Sequence, residues 1–314
     1  MLTTSTIILT LSSLAPVLGT TTYKIKDTYI GPSFLNGFDH WPYSDPTHGR
    51  VNYVDQDTAI AQNLTFAEGK TFVMRADDTT VLDPNGPGRN SVRIQSKNAY
   101  SQSVMVLDIT HMPDGCATWP AWWTTASDWP TGGEIDIIEY VNGQAPNHMT
   151  LHTSPNCTQP QSRRMMGTTT STDCDASVNY NEGCGVQSSY SSSAGSGFNS
   201  IGGGWYAMER TSSSISIWFW PRNSPTVPST IKAGSKTVNP GTFGTPDATF
   251  VNSQCDLNSH FEPHNIIFDL TLCGDWAGNN YPSNCPSTCV DYVNNNPQSF
   301  SDAYWDIAGL RVYE

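Results

Sequence analysis

The chain has 314 residues, with 28 Asp and Glu against 15 Lys and Arg, a formal net charge of −13 and only 14% charged residues. An acidic chain without clustered Lys or Arg lacks the electrostatic footprint for nucleic acid or an anionic membrane surface, and a neutral polymer suits it better. Ser, Thr, Asn and Gly fill the polar surface instead, as in many extracellular β proteins.

Residues 1–19 read as a secretory signal. They are apolar from Ile7 to Leu18, precede the first basic residue, Lys24, and carry Val17 and Gly19 as the small residues of a cleavage site. The apolar stretch is too short to span a bilayer, and no later stretch is longer. Residues 20–314 are expected to form one domain, because no linker-like segment or fixed-period repeat divides them. A secreted, extracellular monomer follows as the expectation.

Strands dominate the rest. SVRIQ (91–95), VMVLDI (104–109), MTLHT (149–153), SISIWFW (214–220), IIFDLTL (266–272) and AGLRVY (308–313) are short, β-branched or aromatic, and bounded by turn residues. No long amphipathic helical period separates them, so an alternating βαβ architecture is excluded and two packed antiparallel sheets are expected. The stretch from Asn156 to Gly204 is rich in small polar residues and reads as a long loop region. Eight cysteines in an exported chain predict up to four disulfides, with the pairing open. Their spacing is not that of a zinc site. Sequons at Asn63 and Asn156 mark two N-glycan acceptors.

The stretch with the most chemistry is Thr131 to Asn142, TGGEIDIIEYVN. Alternation sends Glu134 and Asp136 to one face of a strand and the isoleucines to the other. Glu139 stands an odd number of residues from Glu134, so it reaches the same face only if a β-bulge absorbs one residue. Three acids on one strand face repel one another, which raises the proton affinity of one carboxyl while another stays ionised. Trp119, Trp122, Trp123 and Trp129 precede this strand and Trp276 follows in CGDWAG, and indoles are suited to the flat C–H faces of sugars. Trp119 and Trp122 are assigned to the core. His152, on a neighbouring strand, and Arg93, on a strand otherwise built of Val and Ile, are candidates for contact with the acids or with substrate.

GGEIDIIE resembles the signature of glycoside hydrolase family 16 in its bulged Glu-x-Asp-x-x-Glu form. DPTHGRVNYVDQ (45–56), GPGRNSVRIQS (86–96), GGWYAMERT (203–211), CGDWAG (273–278) and YWDIAGLRVY (304–313) resemble secreted fungal endo-1,3(4)-β-glucanases of that family. The resemblance implies a β-jelly-roll sandwich of two antiparallel sheets with a concave cleft, and a retaining, laminarinase-type endo-hydrolase that needs no cofactor. It implies Glu134 as nucleophile, Glu139 as general acid and base, and Asp136 as the residue orienting the nucleophile. Asn52, Arg93, Trp123, Trp129, His152 and Trp276 become the expected contacts to a β-glucan. Some members bind calcium near the C-terminal strand, where Asp306 stands, although no dense oxygen-ligand loop is legible here. The same chemistry with a sugar as acceptor would make a cell-wall transglycosylase. A non-catalytic β-glucan-binding protein is disfavoured, because both glutamates are retained.

Overall fold

The computed structural model describes residues 21–314, so the expected signal segment, 1–19, lies outside the described residues. Two large antiparallel sheets carry the fold. One runs in spatial order Thr168–Thr169, Cys184–Gln187, His148–His152, Glu134–Glu139, Thr118–Thr125, His264–Leu272, Arg93–Tyr100, Phe38–His40. The other is built around the C-terminal strand Tyr304–Tyr313 and its partner Ser103–His111. Val51–Tyr53 and Arg89–Ser91 form a separate two-stranded parallel ribbon. The helices among the described residues are short, the longest of them being Cys289–Asn295. None among the described residues is long and apolar enough to cross a membrane. The expected jelly roll is therefore the observed one.

The two sheets bury one core between them. Ile135, Ile137 and Ile138 of the acid-bearing strand share this core with Leu151, Trp122 and Phe268 of the same sheet, and with Met105, Leu107, Ile109, Met208 and Ile217 of the opposite sheet. Trp122 is fully buried against Phe268, with ring centroids 6.0 Å apart. Truncating it to Ala would cost about 3–5 kcal/mol, since neighbouring side chains fill only part of such a void. The VMVLDI run is apolar on both faces for a reason that alternation does not explain. Val104 and Val106 point outward into a second cluster with Trp205, Trp218 and Trp220, which Ile231, Val238 and Phe243 cover.

All eight cysteines pair, as Cys116–Cys285, Cys157–Cys255, Cys174–Cys184 and Cys273–Cys289. The number matches the expectation, and the pairing left open by the sequence is decided by the fold. The Asn156–Gly204 stretch is more ordered than its composition suggests. It contributes Thr168–Thr169 and Cys184–Gln187 to the edge of the acid-bearing sheet, and its backbone groups find ladder partners that small polar side chains neither help nor prevent. Asn63 and Asn156, the two sequon asparagines, are exposed.

Candidate active site

Glu134 to Glu139 form one strand, and its register shifts against both neighbours just after Asp136. This is the bulge that the five-residue spacing requires. A bulge leaves backbone groups outside the ladder, and Asn147 takes up two of them. Its amide donates to Ile137 C=O at 2.9 Å and its carbonyl accepts from Glu139 N–H at 2.8 Å. Asn147 is itself fully buried. Before the strand, Gly133 has φ +79°, and a Cβ there would lie 2.4 Å from His260 O. Only glycine fits this turn, which aims Glu134 at the site.

Each glutamate carries an indole. Trp129, 46% exposed, donates its Nε1–H to Glu134. Trp119 donates to Glu139 Oε1 at 2.7 Å. Trp276, in the Gly274–Gly278 turn, stands edge-on to Trp119 with centroids 5.7 Å apart and close to His148. That turn is fixed at its start by the Cys273–Cys289 disulfide. The assignment of Trp119 to the core is therefore corrected, while Trp122 is in the core as expected. The signal was present: in TWPAWWTT, Trp119 and Trp123 have the same parity and Trp122 the opposite, so period-2 alternation puts 119 and 123 on one face.

His152 lies opposite Glu134 in the ladder, with Nε2 3.4 Å from Asp136 Oδ2 and Nδ1 2.8 Å from Asn181 Oδ1. Asp136 is 2% exposed, and its Oδ2 has no hydrogen-bond partner. Among the described residues, Glu134, Asp136 and His152 each bring one potential metal-ligating atom within 4.8 Å of the others. Asp306 belongs to no such cluster there, although its Oδ1 is buried without a partner.

On the other side of the acids, Arg93 is stacked between two indoles, 4.3 Å from the Trp41 ring centre and 4.9 Å from that of Trp123. Trp123 donates its Nε1–H to Asp269 at 2.9 Å. Asp269 and Trp41 were not singled out from the sequence. Asp269 was visible as the lone acid in IIFDLTL; Trp41 had no signal, because only the pairing of Phe38–His40 with Arg93–Tyr100 brings it to Arg93. Asn52 sits on the two-stranded ribbon, where its amide donates to Asn90 at 2.7 Å.

Burial sets the protonation of the cluster. It pushes Glu139 up to about 8, helped by the charges of Glu134 and Asp269 and opposed by the Trp119 hydrogen bond. Burial, then the neighbouring glutamates, hold Asp136 well above the usual carboxylate range. Asp269 rises to about 7 from burial, moderated by Arg93 and by the Trp123 indole. An acid that keeps its proton at neutral pH therefore shares a strand face with Glu134.

Fold and site together define a jelly-roll glycoside hydrolase. The model of the XgeA-like, catalytic GH16 domain matches residues 38–313, and the chain belongs to glycoside hydrolase family 16. It is 56% identical to laminarinase 16A of Phanerochaete chrysosporium, whose structure holds 6-O-glucosyl-laminaritriose in donor and acceptor sites. That superposition has a TM-score of 0.92 and covers 94% of this chain and all of the other. An elongating family 16 β-1,3-glucosyltransferase is 39% identical with a TM-score of 0.87, over 93% of this chain and all of that one. A probable endo-1,3(4)-β-glucanase of Aspergillus niger is 43% identical over 98% of this chain, which spans only 42% of that relative's length.

Proposed function

We propose that the chain is a retaining endo-hydrolase of β-1,3- and mixed-linkage β-1,3(4)-glucans. The observation that carries this reading is that one bulged strand brings Glu134 and Glu139 to a common site, each hydrogen-bonded to an indole, with burial pushing Glu139 up to about 8. Glu134 attacks the anomeric carbon while Glu139 gives its proton to the departing glycosidic oxygen, leaving a glycosyl ester on Glu134. Glu139, now a carboxylate, takes a proton from the incoming water, whose oxygen displaces Glu134 and restores the starting state. Asp136 orients Glu134, and His152, with Nε2 3.4 Å from Asp136 Oδ2, stands at the edge of the acids where it can meet the glucan. Arg93, Trp123, Asn52, Trp129 and Trp276 contact the glucan, and Asp269 fixes Trp123. No step requires a cofactor. Four disulfides and the exposed sequons at Asn63 and Asn156 support an enzyme acting outside the cell.

The test is Glu134→Gln beside Glu139→Gln. Both are expected to fold and to lose about a thousandfold on laminarin, which is roughly 4 kcal/mol of transition-state stabilisation. On an aryl β-glucoside with a good leaving group, only Glu139→Gln keeps a fast first step. Near-wild-type activity in either variant, or an α anomer at first release, would reject the assignment. A transglycosylase reading also has specific support, in the 39% identity to an elongating glucosyltransferase and in groups placed on both sides of the acids. Products longer than the substrate, seen by chromatography early in the reaction, would favour it.

A further inference from the structure

Among the described residues, Asn179, Tyr180 and Asn181 are three consecutive non-glycine residues with φ of 50°, 57° and 60°. Asparagine tolerates the left-handed region; a tyrosine there pays a steric cost that glycine would avoid. Tyr180 nevertheless occupies the middle of the run, with its side chain wholly in solvent at 106% relative exposure. If the segment served only to turn the chain, an aromatic ring would be the wrong residue for it. Strain held at one residue, with its side chain presented to solvent, points to a use for that side chain.

The location indicates the use. The run lies inside the short loop closed by the Cys174–Cys184 disulfide, and Asn181 Oδ1 is 2.8 Å from His152 Nδ1. Two residues on, Gly183 passes so close to the same face that a Cβ would lie 2.7 Å from Thr150 Cγ2 and 2.8 Å from His152 Cε1. Thr150 and His152 are the ladder partners of Asp136 and Glu134. The loop therefore borders the carboxylates, on the side opposite Arg93, Trp123 and Trp41. Its following strand, Cys184–Gln187, is two strand spacings from the acids, roughly 9.5 Å.

We propose that Tyr180 is the platform of an outer sugar subsite on the His152 side of the acids, taking the flat C–H face of a glucose ring in the bound glucan. This rests on the β-glucanase reading above. The disulfide and the Asn181–His152 hydrogen bond hold the loop backbone that carries Tyr180, so less backbone freedom is lost when a sugar settles on the ring.

Tyr180→Ala and Tyr180→Phe are compared with wild type on linear β-1,3-gluco-oligosaccharides from the trimer to the heptamer. Binding of the heptamer is also measured calorimetrically in a Glu134→Gln background. Because the ring is exposed, both variants should melt with the wild type. The alanine variant is expected to lose roughly three- to tenfold in kcat/KM and in affinity on the heptamer, and less than about twofold on the trimer, while phenylalanine stays near wild type throughout. Equal losses at every chain length, or no loss on the heptamer, overturn the subsite. Wild type that cleaves none of these oligomers instead rejects the β-glucanase reading and the subsite with it, and that result is distinct because it precedes any Tyr180 variant.

Discussion

Glu139 is held between two opposed influences, burial that keeps its proton on and the Trp119 indole that stabilises its charged form. Trp119→Phe keeps the ring against Trp276 and removes only the donor. Losing a hydrogen bond to the carboxylate raises the proton affinity further, so the alkaline limb of the kcat/KM–pH profile should move up, by about one unit. An unmoved limb would show that another group's deprotonation ends activity. Asp269, which rises to about 7 and touches Trp123, is the rival for that limb. Asp269→Asn would remove the limb only if the rival governs it.

At the level of the strand, the acids are aligned by a bulge, and the bulge is held by a residue from elsewhere. The spacing from Glu134 to Glu139 made the bulge legible, since period-2 geometry allows no other way to bring both to one face. Asn147 was not legible. It is eight residues past Glu139, and nothing in its own neighbourhood marks an asparagine that will satisfy a C=O and an N–H of another strand. Asn147→Ala leaves two buried backbone groups without partners, at a cost of about 1–3 kcal/mol each. The denaturant midpoint should fall, and kcat on laminarin should fall more than KM rises, because Glu139 loses its fixed backbone. Full kcat in a destabilised variant would reduce Asn147 to a packing role.

For the molecule as a whole, the cost of the site is a pH-dependent loss of stability. Glu139, Asp136 and Asp269 all bind protons more tightly folded than unfolded. Their contribution is fully present below the ordinary carboxylate range and is lost as pH rises through their folded values, about 8 for Glu139 and about 7 for Asp269. Between those limits the unfolded chain holds fewer protons, so unfolding becomes easier as pH rises. Glu139→Gln keeps an acceptor for Trp119 and removes the buried charge. Calorimetry should show it melting a few degrees above wild type near pH 8, with the difference vanishing near pH 4. A variant that melts lower at both pH values would show that the Glu139 charge does not set this loss.

By itself the sequence determined the class of fold, the acid-bearing strand with its bulge, and the number of disulfides. Each of these follows from local rules: side-chain alternation, the odd spacing of two acids, and an even cysteine count in a chain read as exported. Tertiary structure decided which groups act on those acids. Trp119 reaches Glu139 across a strand pair, Asp269 reaches Trp123 from 146 residues away, and Asn181 reaches His152 from a disulfide-closed loop. Proton affinity depends on burial and on charges within a few ångströms, and those distances exist only after strands far apart in sequence have been laid side by side.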